Sequence, residues 1–141
     1  MDPRHVLFRA GGERFALPLD AVAEVVPPAA TFARVPRTPS TVRGAMNVRG
    51  RVVAVVELAP LLGLPPTPGA AGQVLVLDRE RRTLGILVDE VLGVEPVGEP
   101  DRAGEEPPVR GLAAARGAPV AVLDPGALAE AARRLFRGNG A

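Results

Sequence analysis

Apolar residues along this chain come in short runs broken by turn residues. Val6-Leu7-Phe8 and Phe15-Ala16-Leu17 flank Ala10-Gly11-Gly12-Glu13, the pattern of two strands joined by a tight hairpin. Residues 74–77 and 84–88 flank the charged stretch Asp78-Arg79-Glu80-Arg81-Arg82 and predict a second hairpin, with a solvated tip. The apolar stretches 22–26, 51–57 and 120–123 predict further strands. Helical signals are few. Residues 58–62 suffice for one or two turns. The clear helix is C-terminal: Asp124 is a good N-cap, Pro125 takes the first helical position, Leu128, Ala132 and Leu135 recur at helical spacing, and Gly138 is a stop.

The pattern repeats. Arg43-Gly44, Arg49-Gly50 and Val53-Ala54-Val55 recur 67 residues on as Arg110-Gly111, Arg116-Gly117 and Val120-Ala121-Val122, and Leu61 meets Leu128; residues 43–61 hold eight identities in nineteen positions. Val6-Leu7 matches Val74-Leu75 at an offset of 68, and Asp20-x-Val22-x-x-Val25 matches Asp89-x-Val91-x-x-Val94 at 69. Matched blocks in one order point to duplication of a unit of about 68 residues. The expected units are 5–64 and 73–137, joined by the Pro/Gly-rich stretch 65–72 within a single domain spanning 1–141. Each unit reads hairpin, strand, strand, turn, strand, short helix. The fold class is therefore mostly β: two small five-stranded barrels with a short C-terminal helix. The offset leaves open whether the units exchange strands. Residues 96–108 read as a solvated, mobile loop.

Composition narrows the chemistry. The 141 residues contain no Cys and no Lys, one His (His5) and one Ser (Ser40). That removes thiolate and lysine nucleophiles, a Cys zinc site and any plausible Ser-His-acid triad. Seventeen Arg stand against sixteen acids, interspersed, with four Phe and no Tyr or Trp. Neither a basic stripe nor a stacking platform for single-stranded nucleic acid is present. No apolar run reaches membrane-spanning length, and the first residues lack signal-peptide architecture, so a cytoplasmic location is expected. The inventory leaves three classes: an interaction module, a small barrel binding nucleic acid through Arg-rich loops, and an enzyme using only carboxylates and Arg. The first fits best, and no cofactor or metal is expected.

Features present in both repeats most simply serve the fold, and features in one are freer to serve a partner. Asp20 and Asp89, and Glu57 and Asp124, recur and read as turn or cap carboxylates. His5 reads as an exposed strand start. The neighbours Asp89-Glu90 and Glu105-Glu106 point to opposite faces if extended, which disfavours a shared ion. Glu24 faces Gly93 across the repeat, and Asn47 and Arg51 face Ala114 and Ala118. The turn Asn47-Val48-Arg49-Gly50-Arg51 thus carries polar groups that the second copy lacks, although Arg49 recurs as Arg116. Arginine is enriched at interface hot spots because its planar fork offers several donors.

The stretches 6–8 and 15–25, the run Val42-Arg43-Gly44-Ala45-Met46-Asn47-Val48-Arg49-Gly50-Arg51 with the strand after it, Gly85 to Val94, and Gly111-Leu112 to Asp124 together resemble a CheW-like domain over residues 5–128. The resemblance implies two SH3-like barrels without catalysis. It implies an adaptor joining chemoreceptor cytoplasmic tips to a CheA-type histidine kinase through the kinase's C-terminal regulatory module, at receptor clusters on the inner membrane. Carried over by motif, Val22, Glu24, Arg49 and Val94 fall at receptor-binding positions, outlining a groove between the barrels, and Gly44, Asn47 and Gly50 in a coupling turn. Glu57 stands where the family usually has Asp. A divergent form binding receptor without coupling kinase is the nearest alternative within the family.

Overall fold

The computed structural model describes residues 2–66, 72–79 and 82–136. Its elements run β1 Arg4–Ala10, β2 Glu13–Pro18, a 3-10 turn Leu19–Ala21, β3 Glu24–Val26, β4 Val42–Val48, β5 Arg51–Glu57 and α1 Leu58–Leu61. There follow β6 Gln73–Arg79, β7 Arg82–Val88, β8 Glu90–Pro96, β9 Val109–Ala115, β10 Ala118–Leu123 and α2 Pro125–Arg134. The series β6–α2 repeats the series β1–α1. Linker residues 67–71, the hairpin tip Glu80-Arg81 and the expected helix stop Gly138 lie outside the described residues.

The ten strands form two five-stranded sheets, and the repeats do exchange strands. One sheet has the order β8-β1-β2-β10-β9 and the other β3-β6-β7-β5-β4. Each sheet joins the hairpin of one repeat to three strands of the other. Each sheet has two seams between the repeats: an antiparallel one, Val6 opposite Val94 in the first and Val25 opposite Leu75 in the second, and a parallel one, Ala121 opposite Phe15 in the first and Ala54 opposite Leu84 in the second. Each barrel therefore needs both repeats.

Three cores follow from the strand alternation. Leu7, Ala16, Val120 and Val122 fill one barrel, and Val53, Val55, Val74, Val76 and Leu87 fill the other. Between the barrels lie Val6, Phe8, Phe15, Leu17, Leu75, Leu77, Ile86, Leu123 and Leu128. The hairpin strands thus bury both faces, which is why 6–8 and 74–77 are unbroken apolar runs rather than alternating ones. Asp124 caps α2 as expected, its Oδ2 accepting from the Ala127 amide at 3.2 Å.

The structure corrects several expectations. The hairpin offset is 69, not 68: Ala10 pairs with Glu13 across one turn and Arg79 with Arg82 across the other. Val6 is then equivalent to Leu75 and Leu7 to Val76. A slip of one residue exchanges the two faces, so the 68 alignment had equated inter-barrel residues with barrel-interior ones. His5 is buried, with Nδ1 donating to the Pro3 carbonyl at 3.0 Å. Glu57 stands at the N-cap of α1, but its side chain makes no capping bond; it is buried and accepts from Arg43 at 3.5 Å. The 96–108 loop is pinned along β9 by bridges from Asp101 to Leu112 and from Glu106 to Val109, and Val97 is buried.

Candidate functional site

The β4–β5 turn consists of Arg49 and Gly50, both with positive φ (51° and 84°). Such primed turns match the twist of the flanking strands. Glycine reaches this region freely; arginine does so at an energetic cost. Asn47, which ends up in β4, supports the turn by accepting the Gly50 amide at 2.9 Å. Ala114, its counterpart, offers no such group.

Arg49 then spans the barrel's opening. Its Nε donates to Glu24 Oε1 at 2.9 Å, tying the β4–β5 turn to β3, the other edge of the same sheet. The arginine side chain is 78% exposed and the glutamate 23%. Glu24 therefore does not project freely into solvent; it is half-buried and held by Arg49. The two residues line a cleft of about 420 Å³ with Pro27, Pro28, Met46 and Asn47. Arg51 points elsewhere, towards Asp78 at 3.4 Å. The cleft combines an apolar wall with a solvent-facing guanidinium, a surface suited to a protein partner. Among the described residues no three His, Asp or Glu side chains gather to hold a metal.

Gly44 does not belong to this turn. It sits within β4 at a bulge, with φ 139°. A Cβ there would lie 2.5 Å from the Ala33 carbonyl oxygen, because the segment carrying Phe32 and Ala33 crosses β4 at that point. Gly111 repeats the arrangement against the Asp101 carbonyl oxygen. The recurring glycine is thus a close-approach position along the strand, not a turn residue.

The apolar positions fall outside the cleft. Val22 lies before β3, not in it, and is half-buried against the inter-barrel core. Val94 in β8 is 37% exposed. Its cross-strand partner Val6 belongs to the inter-barrel core, so Val94 looks toward the groove between the barrels. Val25 is its equivalent on β3: 38% exposed and paired with Leu75 of the same core. Glu24, next to it, takes the opposite face. The expected residues therefore divide into a polar cleft (Glu24, Asn47, Arg49) and an apolar groove edge (Val94). Val25 was missed as a candidate, although the 69-residue offset pairs it with Val94.

The CheW-like domain family model matches residues 4–133. The chain belongs to the CheW-like domain family. Among curated relatives it is similar to Protein PilI of Pseudomonas aeruginosa, 34% identical over 89 residues, covering 62% of this chain and 49% of that protein. It is also similar to the probable chemotaxis protein CheW of Rhizobium etli, 32% identical over 93 residues, 64% of this chain and 58% of the relative. The matches thus span about half to three-fifths of these relatives' length. In structure it resembles the scaffolding protein TtCheW of Thermoanaerobacter tengcongensis, with a TM-score of 0.73 at 22% identity over 88% of this chain and 85% of the other. That likeness identifies the fold, two SH3-like barrels, which the CheW-like chain builds by strand exchange. No helix among the described residues is long and apolar enough to cross a membrane.

Proposed function

We propose that this CheW-like chain is a non-catalytic scaffold in chemosensory signalling. It joins the cytoplasmic tip of a chemoreceptor to the C-terminal regulatory module of a CheA-type histidine kinase, inside the cell beneath receptor clusters. The observation that carries the reading is the Arg49–Glu24 pair: an exposed arginine held in a left-handed turn over a cleft that also carries apolar wall. Arg116 shares the left-handed φ, so what sets Arg49 apart is its greater exposure over the cleft. Receptor contact uses Glu24 and Arg49 at the cleft and Val94, with Val25, at the groove edge, while Val22 packs behind that edge against the inter-barrel core. A helical hairpin laid along the groove would seat its apolar side chains there and its polar ones on the guanidinium. Asn47 and Gly50 hold the turn, and Gly44 holds β4 against its crossing segment.

Isothermal titration of the chain against a receptor cytoplasmic fragment and against the kinase module tests this directly. Binding to both is expected, with Glu24→Lys weakening the receptor titration and leaving the fold intact. Unchanged receptor affinity in that variant would remove Glu24 from the site. Binding to receptor alone would identify a member that occupies receptors without coupling kinase. Binding to neither partner by the folded chain would sink the proposal.

A further inference from the structure

A larger cleft, about 450 Å³, lies on the same barrel as Glu24 and Arg49, between the β6–β7 hairpin and α2. Leu77, Leu84, Ala129 and Phe136 make its apolar lining, and Arg79, Arg82 and Arg133 stand around it. Phe136 is 37% exposed. Arg133 is engaged by Glu130 of its own helix at 3.1 Å. Among the described residues, no ion pair takes up Arg79 or Arg82.

The internal repeat supplies a control. The equivalent cleft on the other barrel is lined by Ala121 in place of Ala54, Phe15 in place of Leu84 and Glu13 in place of Arg82. Its volume is about 360 Å³, and Glu13 and Glu106 carry its charge. The fold thus builds the concavity twice, with acids around one copy and arginines around the other. Barrel architecture accounts for the hollow and not for the sign of its rim.

We propose that the arginine-rimmed cleft binds an acidic segment of a partner protein, with one apolar side chain seated between Leu84 and Phe136. The apolar floor takes the anchor, and the guanidinium groups of Arg79 and Arg82 take carboxylates on either side of it, an arrangement that arginine's planar fork suits. A phosphate backbone would gain nothing from the apolar floor. A second copy of this chain offers its exposed acidic stretch 99–106 as a rival occupant, so self-association is scored as an outcome of the test. This surface is separate from Glu24 and Arg49, so it stands or falls independently of receptor binding.

The probe is a short fluorescein-labelled peptide of glutamates with spaced leucines, beside a version with lysine for glutamate. Anisotropy should rise with the glutamate peptide only. Amide resonances of Thr83, Leu84 and Ala129 should move on titration while those of Asn47 and Arg49 stay still. The double variant Arg79→Glu/Arg82→Glu should weaken binding about tenfold or more, and added salt should weaken it in the wild type. Phe136→Ala should weaken it without altering charge, and Glu13→Arg should leave it unchanged. Equal binding of the lysine peptide, shifts confined to other surfaces, or no binding of the glutamate peptide at millimolar protein would overturn the proposal. So would tighter binding of an oligonucleotide than of the peptide, or self-association abolished by Arg82→Glu.

Discussion

The two barrels share a strand order, an Arg-Gly turn and a close-approach glycine, yet each arginine finds its carboxylate by a different route. In one barrel Arg49 meets Glu24 on β3. In the other, Gly93 occupies the position equivalent to Glu24, and the Arg116 guanidinium fills that space; a Cβ on Gly93 would lie 2.7 Å from its Nη2. Arg116 then bonds to Glu95, two residues along the same strand, and donates to the Leu92 carbonyl at 3.1 Å. Its side chain is 42% exposed against 78% for Arg49. The duplicated arginine is thus a clamp across the barrel opening in both copies. Both remain exposed, and Arg49, the more open of the two, is the one proposed to meet a partner as well. Recurrence alone did not separate these roles, because the two clamps differ in what lies beneath the arginine.

The comparison can be broken most severely at the shared core. Phe8→Ala, between the barrels, should cost about 3–5 kcal/mol in urea denaturation. Because hairpins are exchanged, both barrels should still melt in one transition; two separate transitions would contradict the interdependence of the repeats. Next come the paired glycines. Gly44→Asp and Gly111→Asp should each destabilise by about 2–4 kcal/mol, since a side chain would meet backbone at a positive φ. A melting temperature unchanged in either would disprove the close-approach role. Of the two, Gly44→Asp should also lower receptor affinity, through displacement of β4.

A subtler difference lies inside the barrels. Ala16 fits its barrel, whereas Gly85, its equivalent, leaves no room: a Cβ would sit 2.9 Å from Val55 Cγ2 and 3.0 Å from Val74 Cγ1. Gly85→Ala should therefore destabilise by about 1–2 kcal/mol by overpacking. A stabilised variant would show that the valines can yield. The smallest effect is the sharpest for function. Arg49→Asn relieves the left-handed arginine and loses an exposed ion pair of about 0–1 kcal/mol, so stability should hold or rise by a few tenths of a kcal/mol while receptor affinity falls. Arg116→Asn loses two bonds at a less exposed site and should lose stability instead. Parallel behaviour of the two variants in both assays would erase the distinction between clamp and contact.

Much was legible in the chain itself. Elements showed because their signals are local: Gly11-Gly12 demands a tight turn, Asp124-Pro125 starts a helix, and β-branched runs favour strands. The duplication showed because a repeat needs no folding to be seen. The family positions Glu24 and Arg49 could be named, and Asn47 could be marked as unique to one copy. What tertiary structure alone decided is how these parts meet. Strand exchange is invisible to an offset, since either pairing satisfies the same apolar pattern. The burial of His5 and Glu57 depends on neighbours far along the chain, and Gly44 owes its role to a segment that crosses β4 from outside the strand. Val22 and Val25 look alike in sequence, but a bend before β3 turns one into the core and leaves the other at the groove. Local preference and hydrophobic period set the elements of this CheW-like chain; long-range packing set which faces remained for a partner.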